Sequence, residues 1–414
     1  MGNNVIALGH YGAVGDISGV TTWVVALIDA LHSKQIPISV LVPHFGPSLE
    51  DCSIFQSVRT QTACIKGVQV PFETEAFARW TLEQLNDLKP AVFLPQCLPA
   101  LHYAASISAT NGLPWVFTLH SDAPDYWALA ELVGPNANAG TWVAVSEHIA
   151  DKARKLNPAA DIRIIPYGVP VEARNARWNN SVFRIAYCGR MLEEQKRIKL
   201  VTTTLIECCR MSSNIEAVMI GDGPERDAME HRIEKEGLSE RIRFTGRLAG
   251  ANLQNTLSSC QGILLMSDYE GLPVALLEGM AQGLVPMARS MQSGIPELVI
   301  PNQTGLILPD TPRNAAEPIV KLARDPVAWQ GMSECAYALV REKYSQRTCL
   351  EQWLSLIQEL SQRSTASYPI EIPSRIKLPP SDRRLRAHDW RRLTFLQKIG
   401  FQLKRLVRRI KIPN

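Results

Sequence analysis

A short apolar run, a glycine-rich stretch and an amphipathic helix follow one another at the start of this chain, and the succession restarts near residue 184. Val5-Ile6-Ala7-Leu8 leads into Gly9 through Gly19. Trp23, Val24, Leu27, Ile28 and Leu31 then share one helical side, and Ile38-Ser39-Val40-Leu41-Val42 is the next run. Runs at Ala91–Leu94, Trp115–Thr118, Trp142–Val145 and Arg163–Pro166 continue the alternation. Strands alternating with helices fold as parallel α/β units, because each crossover helix covers one face of the sheet. A polar stretch without periodicity, Arg174 to Asn180, separates the halves. Beyond it, Arg184–Tyr187, Ala217–Ile220, Ile242–Phe244, Gly262–Met266 and Val285–Ala288 repeat the pattern, and 315–360 reads as mostly helical.

With 414 residues there is room for two such domains. Hydrophobic residues at 46% and charged residues at 20% exclude a disordered chain, and no window of eighteen uncharged apolar residues is present to span a membrane. The start lacks the zones of a secretory signal, and nine unpatterned cysteines read as reduced thiols, so the expected location is cytoplasmic. From Glu371 onward thirteen Lys/Arg face three Asp/Glu, a net +10, which leaves the body at −6.

The chemistry concentrates in Asp268-Tyr269-Glu270-Gly271-Leu272-Pro273 and the helix that follows, which carries Glu278. Pro273 suits a first helical turn, and the backbone N–H groups there suit a phosphate. Glu278 borders the apolar side formed by Leu276, Leu277 and Met280, where a carboxylate can accept two hydrogen bonds from a ribose diol. Glu270, on the loop, can reach the sugar end of such a ligand. Two ordinary surface acids would share this bare spacing. In Gly189-Arg190-Met191-Leu192-Glu193-Glu194-Gln195-Lys196, Arg190 ends a strand and Lys196 is read as opening a helix. Two cations at one loop can neutralise a diphosphate, or simply pair with Glu193 and Glu194.

Glu270 and Glu278 with seven residues between them, Gly-Leu-Pro after the first and Glu-Gly-Met-Ala-x-Gly around the second, resemble the retaining glycosyltransferases of family 4. So does Gly294-Ile295-Pro296-Glu297-Leu298-Val299 downstream, and the likeness extends over roughly residues 1–360. It implies the GT-B fold, two Rossmann-like domains facing a cleft: 1–172 for the acceptor and 181–345 for the nucleotide-sugar. A crossover helix at 346–362, a linker at 363–388 and a basic amphipathic tail at 389–414 complete the expected organisation. The resemblance gives Arg190 and Lys196 the donor diphosphate, Glu270 the donor sugar and Glu278 the ribose. Gly221, Gly223, Gly271 and Leu272 line the nucleotide pocket, as does Gly19, whose usual glycine partner is Ser18 here. His120, ending a strand, would position the reacting hydroxyl. Two departures stand out: Arg197 follows Lys196 where the family usually has Gly, and Tyr167 replaces an Asn.

The implied activity is retaining, metal-independent hexosyl transfer to a glycolipid or envelope-polysaccharide hydroxyl, with no cofactor besides the donor. A non-catalytic membrane tether and a GT-B epimerase are the alternatives. No Asp-x-Asp, no phosphate-binding Gly-x-x-x-x-Gly-Lys-Ser/Thr and no dinucleotide fingerprint at Gly12 and Gly15 occur. In the tail, Trp390, Leu393, Leu396, Ile399, Leu403, Leu406, Val407 and Ile410 recur at helical spacing with cations between them. Packing against the body and a nucleic-acid-binding arm are the alternatives, but such a helix over 389–411 suits an anionic membrane surface better, so the protein is expected on the inner face of the membrane.

Overall fold

The computed structural model describes residues 5–14, 16, 18–45, 48–58, 64–69, 74–133 and 140–385. The tail expected at 389–411 lies outside the described residues.

Among the described residues, seven parallel strands build the amino-terminal half: β1 Ile6–Gly9, β2 Ile38–His44, β3 Cys64–Gln69, β4 Val92–Pro95, β5 Val116–Leu119, β6 Thr141–Ala144 and β7 Asp161–Ile164. Their order is β3-β2-β1-β4, continued by β5-β6-β7 through a bridge between Phe93 and Trp115. The order reverses beside β1, where Leu8 lies level with Val40 of β2 on one side and Leu94 of β4 on the other. Most of these strands are buried on both faces, which explains their continuous apolar runs. The first helix, Gly19–Ser33, buries Trp23, Val24, Leu27, Ile28 and Leu31 on one stripe, and Ser18 caps its start by accepting from the Thr21 N–H.

The second half repeats the plan. Strands β8 Phe183–Cys188, β9 Ile215–Ile220, β10 Ile242–Gly246, β11 Gly262–Leu265, β12 Val285–Arg289 and β13 Leu306–Leu308 are ordered β10-β9-β8-β11-β12-β13, all parallel. This is the doubly wound order, whose reversal between β8 and β11 opens a crevice at the strands' carboxyl ends. The polar stretch 174–180 is the first crossing between halves. Asn175 and Ala176 donate their N–H groups to the Gln282 carbonyl, which seats it on the second domain.

At the return crossing the Val169 N–H donates to the Tyr344 carbonyl, and the Val169 carbonyl accepts from the Gln346 N–H. The helix Gln346–Arg363 then packs on the amino-terminal domain, with Trp353 4.9 Å from Trp23 between ring centroids. The expected linker differs from its reading. Residues 364–385 form a strap bound along the amino-terminal domain rather than a solvated connector. Its backbone bonds go to side chains: Ile370 to Asn86, Pro373 and Ser374 to Arg79, and Ile376 to Glu75. Ile370, Ile376 and Leu385 are buried, so the strap is part of that domain's surface layer.

Candidate active site at the domain interface

Glu270 and Lys196 face one another across two loops of the second domain. Lys196 Nζ lies 2.5 Å from Glu270 Oε1, and both side chains are largely buried. Glu270 sits in the turn between β11 and the helix Val274–Gln282; Pro273 is the residue just before that helix. Lys196 does not open a long helix, as the sequence implied. It closes a single turn, Glu193–Lys196, and Arg197 reverses the chain into the helix Ile198–Met211.

That reversal has a conformational cost. Arg197 is left-handed, at φ 48° and ψ 49°, where a side chain costs about 1–2 kcal/mol relative to glycine. Its guanidinium lies 2.5 Å from Asp310 and 3.6 Å from Asp268. Arg289 joins the same two carboxylates at 2.9 and 3.2 Å. Two cations and two anions thus alternate in a ring behind the Lys196–Glu270 pair. Asp268 is also tied to the first loop, donating its N–H to the Gln195 carbonyl.

Arg190 stands at the carboxyl end of β8 and donates to the Gln195 side chain at 2.9 Å. Gln195 in turn donates to the Tyr269 carbonyl, and Tyr187 donates to that of Arg190. Gly221 has φ 135°, and a Cβ there would lie 1.9 Å from the Gly189 carbonyl oxygen; a Cβ on Gly223 would come within 2.4 Å of that of Met191. The Gly-Asp-Gly turn is therefore packed against the loop that carries Arg190. Glu278, one turn into its helix, has no hydrogen-bond partner among the described residues, and burial pushes its carboxyl up to about 7.

The other wall comes from the amino-terminal domain. A Cβ on Gly271 would fall 2.5 Å from the His120 carbonyl oxygen, so glycine lets the Glu270 loop touch that domain. Leu272 is buried behind the turn. Gly19 approaches the same helix start, where a Cβ would meet Val274 at 3.3 Å. Glu297, on the short helix Ile295–Leu298, reaches across to accept the Glu147 N–H at 2.9 Å. Burial pushes the Glu297 carboxyl up to about 7 against that bond.

His120 is at the interface, but its ring is already committed. Nε2 lies 2.6 Å from Gln96 Oε1, and Nδ1 bonds the Tyr167 hydroxyl. With Gln96 accepting from Nε2–H, Nδ1 accepts from Tyr167. Burial holds the imidazole well below its ordinary pKa, so it is neutral. Tyr167, the residue in place of Asn, occupies Nδ1, so both ring nitrogens are engaged by residues of the amino-terminal half.

Arg190, Gln195 and Tyr269 on one wall, and Ser121, Asp125 and Tyr126 on the other, line a cavity of about 460 Å³. Arg384 of the strap completes it. Sequence reasoning missed Gln195, which was passed over between Arg190 and Lys196 in their motif, and Asp125 and Arg384, which belong to none; Arg384 arrives from far along the chain. Among the described residues no group of three or more His, Cys, Asp or Glu side chains is placed to hold a metal ion.

Two parallel doubly wound domains meeting over buried glutamates and paired cations define a GT-B glycosyltransferase. The family described as glycosyl transferases group 1 matches residues 171–338, and glycosyltransferase family 4 matches residues 17–173. The chain belongs to this family. Alpha-D-kanosaminyltransferase of Streptomyces kanamyceticus is 28% identical over 178 residues, 42% of this chain and 45% of that protein. The lipopolysaccharide core biosynthesis glycosyltransferase LpsD of Rhizobium meliloti is 22% identical over 357 residues, covering 84% of this chain and 96% of LpsD. HepE of Anabaena, crystallised with UDP and glucose, shares the fold with a TM-score of 0.69 at 14% identity, over 86% of this chain and 99% of HepE.

Proposed function

We propose that this glycosyltransferase moves a hexosyl group from a nucleoside diphosphate sugar to a hydroxyl of a glycolipid or cell-envelope polysaccharide, with retention and without a metal. The observation that carries the reading is the buried Lys196–Glu270 pair beside Arg190, with Glu278 unpartnered on the next helix. Arg190 and Lys196 take the diphosphate, Glu278 accepts from the ribose diol and Glu270 holds the donor sugar. Before the donor arrives, Glu270 neutralises Lys196; a diphosphate would replace that carboxylate as the partner of the ammonium. As the bond from the anomeric carbon to the phosphate oxygen breaks, both cations stabilise the leaving charge. The acceptor hydroxyl forms the new bond on the same face, and its proton passes to the departing phosphate oxygen. His120, its ring nitrogens engaged, shapes the sugar end of the cleft through its backbone and ring.

UDP is the first nucleotide to try, because HepE was crystallised with it. LpsD is named for lipopolysaccharide core synthesis, which favours an envelope acceptor. The basic carboxyl-terminal sequence favours work at the inner membrane face; no described helix is long and apolar enough to cross a membrane. Calorimetric titration with UDP, GDP and ADP tests the donor site, on wild type and on Lys196→Ala. One nucleotide should bind, and less tightly to the variant. Binding of none would favour the tether reading, and donor conversion without any acceptor would favour an epimerase.

A further inference from the structure

The family match ends at residue 338, whereas the strap lies beyond it and still reaches the cleft. Its course is fixed at intervals along the amino-terminal domain. The Ser367 N–H donates to the Asn111 carbonyl at 2.9 Å and the Tyr368 hydroxyl to the Pro90 carbonyl at 2.6 Å; the bonds to Asn86, Arg79 and Glu75 follow. The strap ends in a single turn, Arg383–Leu385, whose Leu385 is buried.

This turn delivers Arg384 to the cavity rim. Its Nε and Nη2 donate to Asp382, and its Nη1 and Nη2 donate to Glu131 on the helix Pro124–Val133. Those bonds engage the Nε hydrogen, both Nη2 hydrogens and one Nη1 hydrogen. One Nη1 hydrogen of the five N–H donors is left for a ligand. A guanidinium on an exposed segment would ordinarily move freely; here two carboxylates hold it in one place, so little entropy remains to be lost on binding.

The residues assigned to the donor, Arg190, Lys196, Glu270 and Glu278, all lie on the second domain. What enters between Arg384, Ser121 and Asp125 on one side and Arg190 and Tyr269 on the other meets the donor from the opposite wall. Fixed donors, a carboxylate and an aromatic ring suit a hydroxyl-rich sugar. We propose that the strap is the acceptor wall of the cleft and that Arg384 is a specificity-determining residue, donating to an oxygen of the acceptor glycan. This rests on the transferase reading above.

The test uses the full chain, a radiolabelled sugar nucleotide of the base selected by titration, and a membrane extract of the source cells as acceptor. Label entering the extract measures transfer, and label released as free sugar measures donor hydrolysis. Arg384→Ala should lower transfer at least tenfold at limiting acceptor and recover at saturating acceptor. Donor hydrolysis and nucleotide affinity should stay within twofold. Glu131→Gln, which loosens the guanidinium without removing it, should raise the acceptor KM by a smaller factor. It serves as the second variant should Arg384→Ala fail to fold. An unchanged acceptor KM in the variants would overturn the proposal, as would donor hydrolysis falling in parallel with transfer. A wild type that labels nothing would sink the transferase reading, and the proposal with it.

Discussion

The guanidinium of Arg197 reaches Asp310 at 2.5 Å while its own backbone holds the left-handed turn that ends the Lys196 loop. The residue is strained and anchored at once, and the two contributions can be separated by substitution. Arg197→Gly and Arg197→Ala both lose the ion pairs, but only glycine relieves the backbone. The glycine variant should be more stable than the alanine variant by about 1 kcal/mol in denaturant melts. Both should lose turnover, because Lys196 is no longer clamped opposite Glu270. Equal stability of the two variants would show that the turn relaxes out of the left-handed region.

Glu278 sets stability against binding. Its folded pKa is about 7 against an ordinary 4.5, so the folded state binds more protons than the unfolded one between those values. Its contribution is therefore most favourable at low pH and is lost as pH rises toward 7. Glu278→Gln should raise stability at pH 8 by about 2 kcal/mol and weaken nucleotide binding strongly. In wild type, a ribose diol prefers the ionised carboxylate, so affinity should fall up to about tenfold per pH unit below 7. Thermal melts and titrations at pH 6 and 8 check both directions; an affinity flat with pH would remove Glu278 from the ribose site.

Tyr167→Phe isolates the hydroxyl that meets His120. The parallel ring stack, with centroids 5.7 Å apart, survives the change, but Nδ1 is left buried and unsatisfied. A loss of about 1–3 kcal/mol is expected in equilibrium unfolding. A loss below about 0.5 kcal/mol would mean that the hydroxyl does not anchor the imidazole.

Residues 386–414 carry nine Lys/Arg against one acid. Removing them should abolish binding to vesicles containing phosphatidylglycerol, since each cation near an anionic surface is worth about 1 kcal/mol. Nucleotide affinity should not change. Sedimentation with such vesicles, compared with pure phosphatidylcholine, reads the difference; equal binding by the truncated chain would assign the membrane contact elsewhere.

What the sequence made legible was local. Strand-to-loop transitions at Tyr187–Gly189 and Leu265–Gly271 place Arg190 and Glu270 because apolar runs and glycines record backbone geometry within a few residues. The Lys196–Glu270 pair joins residues on separate loops, and only the family resemblance brought them together. Arg197 was visible as a departure, an arginine where the family usually has Gly, but not its compensation, which lies at Asp310 far along the chain. The strap was illegible because its prolines and serines read as a connector. What fixes it are Asn86, Arg79 and Glu75, polar residues of a distant helix that by themselves look like ordinary solvated side chains. His120 could be read as a strand-end residue, but not its bond to Tyr167, which is distant in sequence and engages the ring.

The crossover helix and the strap have a consequence for how the chain is made. Both belong to the domain that contains β1, so that domain is assembled from segments made before and after the second domain, which is threaded between them. The second half can fold as soon as it emerges, whereas its partner waits with Trp23 and the Asn86 helix face uncovered until the crossover helix and the strap have been made. During that interval the first domain is half finished, and a chaperone holding the early segment would be protecting surfaces that the crossover helix and the strap later cover.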